Sequence, residues 1–365
     1  MRIFSLQGSG VTETDSLAAP LPPGGFLWIA CSRAEFEAQQ PRFQQTLQQL
    51  CGVQLVDLHV SDLLNAQLPS HYDYTSQYDL LVFRRLSSAS AGLRGGAPAS
   101  APAAEPAPVL RRIDTSPVGF AIFDQVLLTV HPEDCLVRDA FAARLLAGHA
   151  TEARAAGARQ PASPADLMLR IVNLMVDGYL DLRRELNRQL DHWQTELLRP
   201  RSRFNDWSAL LDARLALHQL DQICEDQRAA VQDWIDALET WPAAQTPAAQ
   251  RERDLLQVRS RDVLEHIERV VNHVRRLEQN SETTVQMHFS LQSNRTNDIM
   301  RVLTTLTAIF LPLNLIAGIF GMNFEFIPLV HKQDGFWWAM GTMAVISVAL
   351  VLFFWRKSYL ARTPR

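Results

Sequence analysis

The sequence has 365 residues, a formal net charge of −4 at pH 7 and a pI near 6.2. A chain of this length can form one or two domains and a membrane anchor, and its weak negative charge argues against nucleic acid as a partner. The mean hydropathy of −0.07 averages two different parts. Residues 1–295 have the composition of a soluble protein, whereas the strongly apolar segments follow Asn297.

The chain carries no recognisable catalytic or redox motif. It contains no P-loop, nucleophile elbow or HExxH, so we predict that it is not an enzyme and needs no catalytic cofactor. Its cysteines, Cys31, Cys51, Cys135 and Cys224, form no CxxC pair, which favours reduced thiols in the cytoplasm. The first ten residues lack the apolar core of a signal peptide, so we expect residues 1–295 to stay in the cytosol.

Residues 1–162 predict an α/β domain, because short apolar runs alternate with amphipathic ones. The predicted strands are Phe26–Ala30 and Tyr78–Phe83, the predicted hairpin is Val118–Val130, and the predicted helices are Glu35–Leu50 and Asp139–Leu146. A stretch rich in Ser, Ala, Gly and Pro covers residues 87–108. We predict a disordered insertion there, since this composition cannot form a packed core.

Residues 163–296 predict a long helical stalk. Ser163, followed by a proline and an early acid, is a good helix start, and that helix is predicted to end near Leu198. A second helix is predicted over Phe204–Leu238. A third begins near Pro247 and meets no Gly or Pro from Ala248 to Leu311. Helix from Pro247 to Phe320 would be roughly 110 Å long and would have to pack along partners.

Two segments near the C-terminus predict membrane spans. Ile299–Phe320 has 22 residues with a single charge, and Gly335–Trp355 has 21 residues with none. Both are long enough to cross the hydrocarbon core of a bilayer. We therefore predict a first transmembrane helix at 297–320 and a second at 335–356.

Basic residues predict the orientation of the spans. The end of the second span and the tail at 357–365 carry four basic residues and no acid, whereas the loop at 321–334 carries one Lys against Glu325 and Asp334. The positive-inside rule places both chain ends in the cytosol and this loop outside. Two spans cannot enclose an ion path, so transport would require an oligomer.

The first span carries a stripe of positions spaced alternately by three and four residues. These positions, which we call the seam, are Asn297, Met300, Thr304, Thr307, Leu311, Asn314, Gly318 and Gly321. Such spacing is typical of a helix face that meets neighbours in a left-handed bundle. The seam fits two interpretations: packing between membrane helices, or the lining of a pore on the axis of an oligomer. Pro312 predicts a bend in this span.

The residues that follow the seam resemble a known family. Gly321-Met322-Asn323, within AGIFGMNFEF, resembles the GMN signature of the CorA metal-ion transporter family. The segments Asn294–Thr304, Leu311–Phe324 and Arg261–His266 are also similar to family segments, so the likeness covers roughly residues 261–326.

This resemblance implies a funnel-shaped homopentamer in the bacterial inner membrane, with first spans around a pore and second spans facing lipid. Its partners would be further copies of the chain, the lipid bilayer and divalent cations. The outer filter would comprise Gly321, Met322 and Asn323. By position, Thr307 and Asn314 would lie on the polar pore face, Met300 and Leu303 would form the cytosolic constriction, and Asp262 would bind a regulatory metal ion.

One departure from the family concerns the external loop. Many magnesium channels of the family carry an acid just after the loop proline, whereas Pro328 is followed here by Leu329, Val330 and His331. Glu325 and Asp334 remain to attract cations, and His331 could instead bind a borderline metal such as Zn²⁺ or accept a proton.

The sequence therefore leaves three functions open. The first is a Mg²⁺ channel, conducting also Co²⁺ or Ni²⁺, that is gated by cytosolic metal. The second is a proton-coupled Zn²⁺ transporter of the ZntB type. The third is a membrane-anchored helical scaffold without transport.

Overall fold

A computed structural model describes residues 1–8, 10–14, 16–17, 20–86, 115–133, 135–147, 160–198, 207–242, 244–322 and 334–357. The predicted insertion at 87–108, most of the external loop and most of the C-terminal tail lie outside the described residues. The chain divides into two compact units, Met1–Glu282 and Thr283–Arg365.

The first unit begins with a seven-stranded mixed sheet. Its strands are β1 (Arg2–Gln7), β2 (Gly10–Thr14), β3 (Phe26–Ser32), β4 (His71–Tyr74), β5 (Asp79–Leu86), β6 (Thr115–Ile122) and β7 (Val126–His131). The spatial order is β2-β1-β3-β7-β6-β5-β4. Only β3 and β7 run parallel among these pairings, so hairpins build both halves of the sheet and one parallel pairing joins them.

Helices account for the rest of the described elements. They are α1 (Arg33–Ala38), α2 (Gln40–Cys51), α3 (Asp57–Leu64), α4 (Leu136–Ala147), α5 (Pro164–Leu198), α6 (Trp207–Thr240), α7 (Pro247–Phe320) and α8 (Gly335–Arg356). The predicted α/β domain, long helices and two apolar C-terminal helices are all present.

Both faces of the sheet are buried, because side chains alternate along each strand. Phe4, Trp28 and Phe120 belong to a core that includes residues of α4, α5, α6 and α7. Ile3 and Ile29, one residue away on the same strands, belong to a second core with residues of α1, α2 and α3. The first unit is thus layered as helices, sheet and helices, and its long helices cover one face only.

Several predicted elements are confirmed. The hairpin predicted at Val118–Val130 is β6 and β7, which pair antiparallel and turn where Phe123 N donates to Val126 O at 2.9 Å. The strand runs predicted from Phe26 and Tyr78 correspond to β3 and β5. The helix predicted from Pro247 to Phe320 is continuous over 74 residues.

The single helix predicted over Glu35–Leu50 is wrong. The structure has two helices that meet at Gln39 (φ −118°, ψ 19°). Ser32 and Glu35 form a capping box at the start of α1, and Pro41 lies in the first turn of α2. A proline favours a first turn because it has no N–H to donate, so the chain restarts its helix there.

A buried polar chain crosses the first core. Trp28 Nε1 donates to Thr129 Oγ1 at 2.9 Å, and His131 Nε2 lies 2.7 Å from the same oxygen. Thr129 Oγ1 also lies 3.5 Å from Ile29 O, and His131 Nδ1 lies 3.2 Å from Cys135 Sγ. Both ring nitrogens of the neutral imidazole therefore have a polar partner, one as donor and the other as acceptor.

This arrangement holds His131 in its neutral form. Burial, together with the positive charges of Arg138 and Arg85, lowers the pKa of His131 to about 3. The unfolded chain would protonate this imidazole near pH 6.5. Since the unfolded state then binds the extra proton, the folded state loses stability as pH falls below about 6.5.

We expect His131→Gln to reduce the acid sensitivity of the protein. Between pH 7.5 and pH 5.0 the titration of His131 costs about 2 kcal/mol of folding free energy, which a glutamine does not lose. The measurement is the melting temperature of the purified full chain at pH 7.5 and 5.0. The exposed His218→Gln serves as control. The prediction fails if His131→Gln and His218→Gln lose the same number of degrees on acidification.

Candidate functional site

Two helices of the second unit are apolar and exposed. The C-terminal part of α7 and the whole of α8 are long and apolar enough to cross a membrane, and the most apolar 18-residue window of each is 6% and 0% buried. A core helix of a soluble protein would be mostly buried instead. Exposing so much apolar surface to water is energetically unfavourable, which favours lipid as the surrounding medium.

Every residue of the seam is exposed in the single chain. Asn297, Met300, Thr304, Thr307, Leu311, Asn314, Gly318 and Gly321 all have high exposed fractions, as does Leu303 at 55%. The seam is therefore a continuous strip along α7 that the chain itself leaves uncovered.

The opposite side of the same helix is less exposed. Thr305 is 2% exposed, and Ile309, Pro312 and Ile316 are half-buried. These positions lie roughly half a turn of helix away from the seam. Half-buried positions on α8 recur with similar spacing.

The seam threonines present oxygens in a defined way. Thr304 Oγ1 donates to Met300 O at 2.7 Å, and Thr307 Oγ1 donates to Leu303 O at 2.9 Å. Each hydroxyl proton is thereby bonded to a carbonyl of its own helix, which leaves the oxygen lone pairs as acceptors. The water shell of a cation points its protons outward, and such oxygens can accept them.

The helix ends where the predicted filter begins. Gly321 N donates to Ala317 O at 3.0 Å and to Gly318 O at 3.2 Å, and Met322 N donates to Ile319 O at 3.3 Å. A Cβ on Gly321 would lie 3.1 Å from Ala317 O, which is closer than most Cβ contacts, so a side chain there would strain this last turn.

The remaining external residues can be placed only in part. Asn323, Glu325 and His331 lie outside the described residues. Asp334 directly precedes α8, where its backbone oxygen accepts from Trp338 N at 3.0 Å and its side chain makes no capping hydrogen bond. The roles assigned to these four residues stay predictions.

Asp262 lies in surroundings that the sequence did not indicate. Its side chain is 58% exposed on α7, with Oδ1 3.7 Å from His266 Nε2. It borders a cavity of about 300 Å³ that is also lined by Phe141, Arg144, Arg170, Asn173, Arg259 and Val263. Within the described residues no group of three or more His, Cys, Asp and Glu side chains is placed to hold a metal ion. A regulatory ion at Asp262 would therefore need ligands from beyond the described part of one chain.

Sequence reasoning missed this arginine-lined cavity because its walls come from three helices. Asp166, Arg170 and Asn173 share one face of α5 by their spacing, and Arg259 with Asp262 and Val263 shares one face of α7. That spacing is the only signal in the sequence. Nothing in it shows that these two faces meet each other and α4.

Comparison with known proteins gives consistent matches. The family model described as "CorA-like Mg2+ transporter protein" matches residues 24–357. The cobalt/magnesium transport protein CorA of Thermotoga maritima is 28% identical over 195 residues, which are 53% of this chain and 52% of that protein. The alignment thus spans about half the length of this curated relative.

Solved structures resemble the whole chain. The complete structure of the CorA magnesium transporter from Methanocaldococcus jannaschii matches with a TM-score of 0.69 at 19% identity, covering 98% of both chains. The structure of the full-length CmaX protein matches with a TM-score of 0.64 at 18% identity, covering 98% of this chain and 97% of that one. At these identities the likeness shows the fold alone.

We expect Asn314→Cys to cross-link copies of the chain in membranes under mild oxidation, because the chain itself leaves the seam uncovered and open to contact with another copy. Val345→Cys, which is 70% exposed on α8, is the matched control and should stay monomeric. The measurement is the size of the products on a non-reducing gel. Equal cross-linking of the two variants, or none at Asn314→Cys, would contradict an intersubunit seam.

Proposed function

Since the chain belongs to the CorA-like Mg²⁺ transporter family, whose model matches residues 24–357, we propose that copies of it form a pore for hydrated divalent cations, chiefly Mg²⁺. The observation that carries the proposal is the uncovered seam on α7, with its outward-facing hydroxyl oxygens. Isolated chains cannot bury these polar groups, whereas a ring of chains turns them toward a common axis.

The chemistry of the seam suits Mg²⁺ in particular. Mg²⁺ releases its octahedral water reluctantly, so a path that accepts hydrogen bonds from this water costs less than one that replaces it. Thr304, Thr307 and Asn314 offer neutral oxygens. Neutral oxygens attract the water shell without the deep electrostatic trap of a carboxylate ring, and conduction requires that the ion can leave each site.

The two ends of the seam have different proposed roles. At the outer end, Asn323 side chains and backbone carbonyls near Gly321 and Met322 would form the first binding ring for the arriving hydrated ion. At the cytosolic end, Met300 and Leu303 would form an apolar constriction that closes the path by excluding water. Gating would follow from cytosolic metal bound between Asp262 and an acid of a neighbouring copy, and Co²⁺ and Ni²⁺ would share the Mg²⁺ path.

The proposed assembly follows the family resemblance. It is a homopentamer in the bacterial inner membrane, with first spans around the axis, second spans toward lipid and both chain ends in the cytosol. Trp337 and Trp338 at the start of α8, and Trp355 at its end, are well exposed. Tryptophans at both ends of a span fit the two interfaces of a bilayer.

The proposed domain limits follow the same plan. Residues 1–162 would be the cytosolic α/β domain, 163–296 the stalk, 297–320 the pore helix, 321–334 the external loop, 335–356 the outer helix and 357–365 the basic tail.

We expect Thr307→Val to slow Mg²⁺ flux about tenfold, because valine keeps the shape of threonine but removes the oxygen that accepts from the hydrated ion. Thr342→Val is the matched control. Thr342 on α8 makes the same type of bond, with Oγ1 donating to Trp338 O at 2.8 Å, but it lies off the seam. The measurement is the initial rate of Mg²⁺ entry into liposomes that contain equal amounts of each variant. A Thr307→Val rate equal to that of Thr342→Val would remove Thr307 from the path.

The transported ion can be tested in the same liposomes with indicators for Mg²⁺ and Zn²⁺, each with and without a pH gradient. We expect Mg²⁺ entry that ignores the gradient and is abolished in Asn323→Ala. Zn²⁺ entry driven by inward protons would instead support a ZntB-like transporter. If well-assembled protein moves neither ion, the transport proposal is wrong and a scaffold role replaces it.

A further inference from the structure

The arginine-lined cavity of the first unit gathers more positive than negative side chains. Three guanidinium groups, from Arg144, Arg170 and Arg259, line about 300 Å³ of space. Two carboxylates accompany them. Asp166 is ion-paired to Arg170 and to Arg259, whereas Asp262 lines the cavity itself and is largely exposed. The three arginines and two aspartates together therefore have a net charge of +1.

Donor groups remain available after the internal pairs are counted. Arg144 has no hydrogen-bond or ion-pair partner within the described residues. Arg170 directs Nε and one terminal nitrogen to Asp166 and to Gln160 O at 3.3–3.4 Å, which leaves its other terminal nitrogen to the cavity. Burial lowers the pKa of both Arg170 and Arg259, so these cations have lost part of their water and gain from an anion.

A buried amide marks the inner wall. Asn173 Oδ1 is shielded from solvent and has no hydrogen-bond partner in the described part of the chain. An unsatisfied buried polar atom is costly, and a ligand that bonds to it removes that cost. A half-turn of the amide exchanges its oxygen for its NH₂ group, so the position serves a ligand hydroxyl or a ligand oxygen equally well.

We propose that this cavity binds a small phosphate monoester, with the phosphate on Arg144 and Arg170 and an uncharged part of the ligand against Asn173. Guanidinium groups match the geometry and charge of phosphate oxygens, and such charge-assisted hydrogen bonds are stronger than neutral ones. Asp262 at the edge would accept from a ligand hydroxyl. Phe141 and Val263 supply an apolar wall. A cavity of this volume is at the small end of the range for ligand pockets, which favours a metabolite over a macromolecular partner.

The position of the cavity gives the ligand a structural role. Its walls come from α4, α5 and α7, so one bound molecule would connect two helices next to the sheet with the helix that also carries the seam. The proposal does not rest on ion conduction, because it concerns binding by the first unit, although Asp262 would be shared with the proposed regulatory metal site.

The test is isothermal titration calorimetry on the purified full chain, with EDTA present and ionic strength held constant with chloride. One arm uses inorganic phosphate and the other uses glycerol 3-phosphate, so that free phosphate and an ester are distinguished. We expect saturable binding of the ester at one site per chain, tighter than that of inorganic phosphate. Arg144→Ala should weaken it by about tenfold or more, since it removes a charge-assisted contact.

Arg269→Ala is the matched control, because Arg269 is an exposed arginine of α7 that pairs with Glu265 and lies outside the cavity lining. A second variant, Asn173→Asp, places a negative charge at the inner wall and should weaken binding of the ester at least as much as Arg144→Ala does. The proposal is overturned if neither probe binds saturably, if phosphate alone binds, or if Arg144→Ala and Arg269→Ala bind the ester equally. The melting temperature of each variant shows whether it folds. If Arg144→Ala does not fold, the binding of the ester by Asn173→Asp is the test in its place.

Discussion

Lipid cannot satisfy a polar group, and this single constraint explains most of the second unit. The first span carries two asparagines and several threonines, yet the seam positions among them are uncovered by the chain's own fold. Thr305, on the other side, is buried and bonded to Arg301 O at 2.8 Å. The polar groups of the seam can find hydrogen-bond partners only in water or in another copy of the chain. An aqueous axis enclosed by several copies provides both, which is why the proposed function requires assembly.

Helix α7 contains residues of both units. It contributes Arg259 and Asp262 to the first unit and the whole seam to the second. Its 74 residues begin with Pro247, and Pro312 is the one proline inside the helix. Most of the stability of a protein helix comes from tertiary packing, which the first unit supplies through residues such as Val263, Ile267 and Val274. The first unit therefore stabilises the helix from which the seam is built.

Much of this architecture follows from local patterns in the sequence. The hairpin of β6 and β7, the start of α5 after Ser163 and the continuity of α7 were all predictable from apolar periodicity, a cap and the absence of Gly and Pro. The β1–β2 hairpin was missed, since Arg2–Gln7 mixes polar and apolar residues and offers no long apolar run. The break at Gln39 was not predicted, because the amphipathic pattern of apolar and polar residues continues on both sides of Pro41. The candidate site divides in the same way: the seam follows from spacing on one helix, whereas the cavity around Arg144 depends on the packing of three helices, which no local pattern encodes.

The hydroxyl geometry of the seam has a consequence for its electrostatics. With their protons bonded to carbonyls of their own helix, Thr304 and Thr307 would act toward the proposed axis as fixed dipoles with the oxygen as the negative end. No seam residue from Asn297 to Gly321 is ionisable. A lining of this kind favours positive over negative ions by dipole orientation alone, and its charge is the same in acid as in alkali. Acidification would then leave the affinity of the proposed path for the permeating ion unaltered.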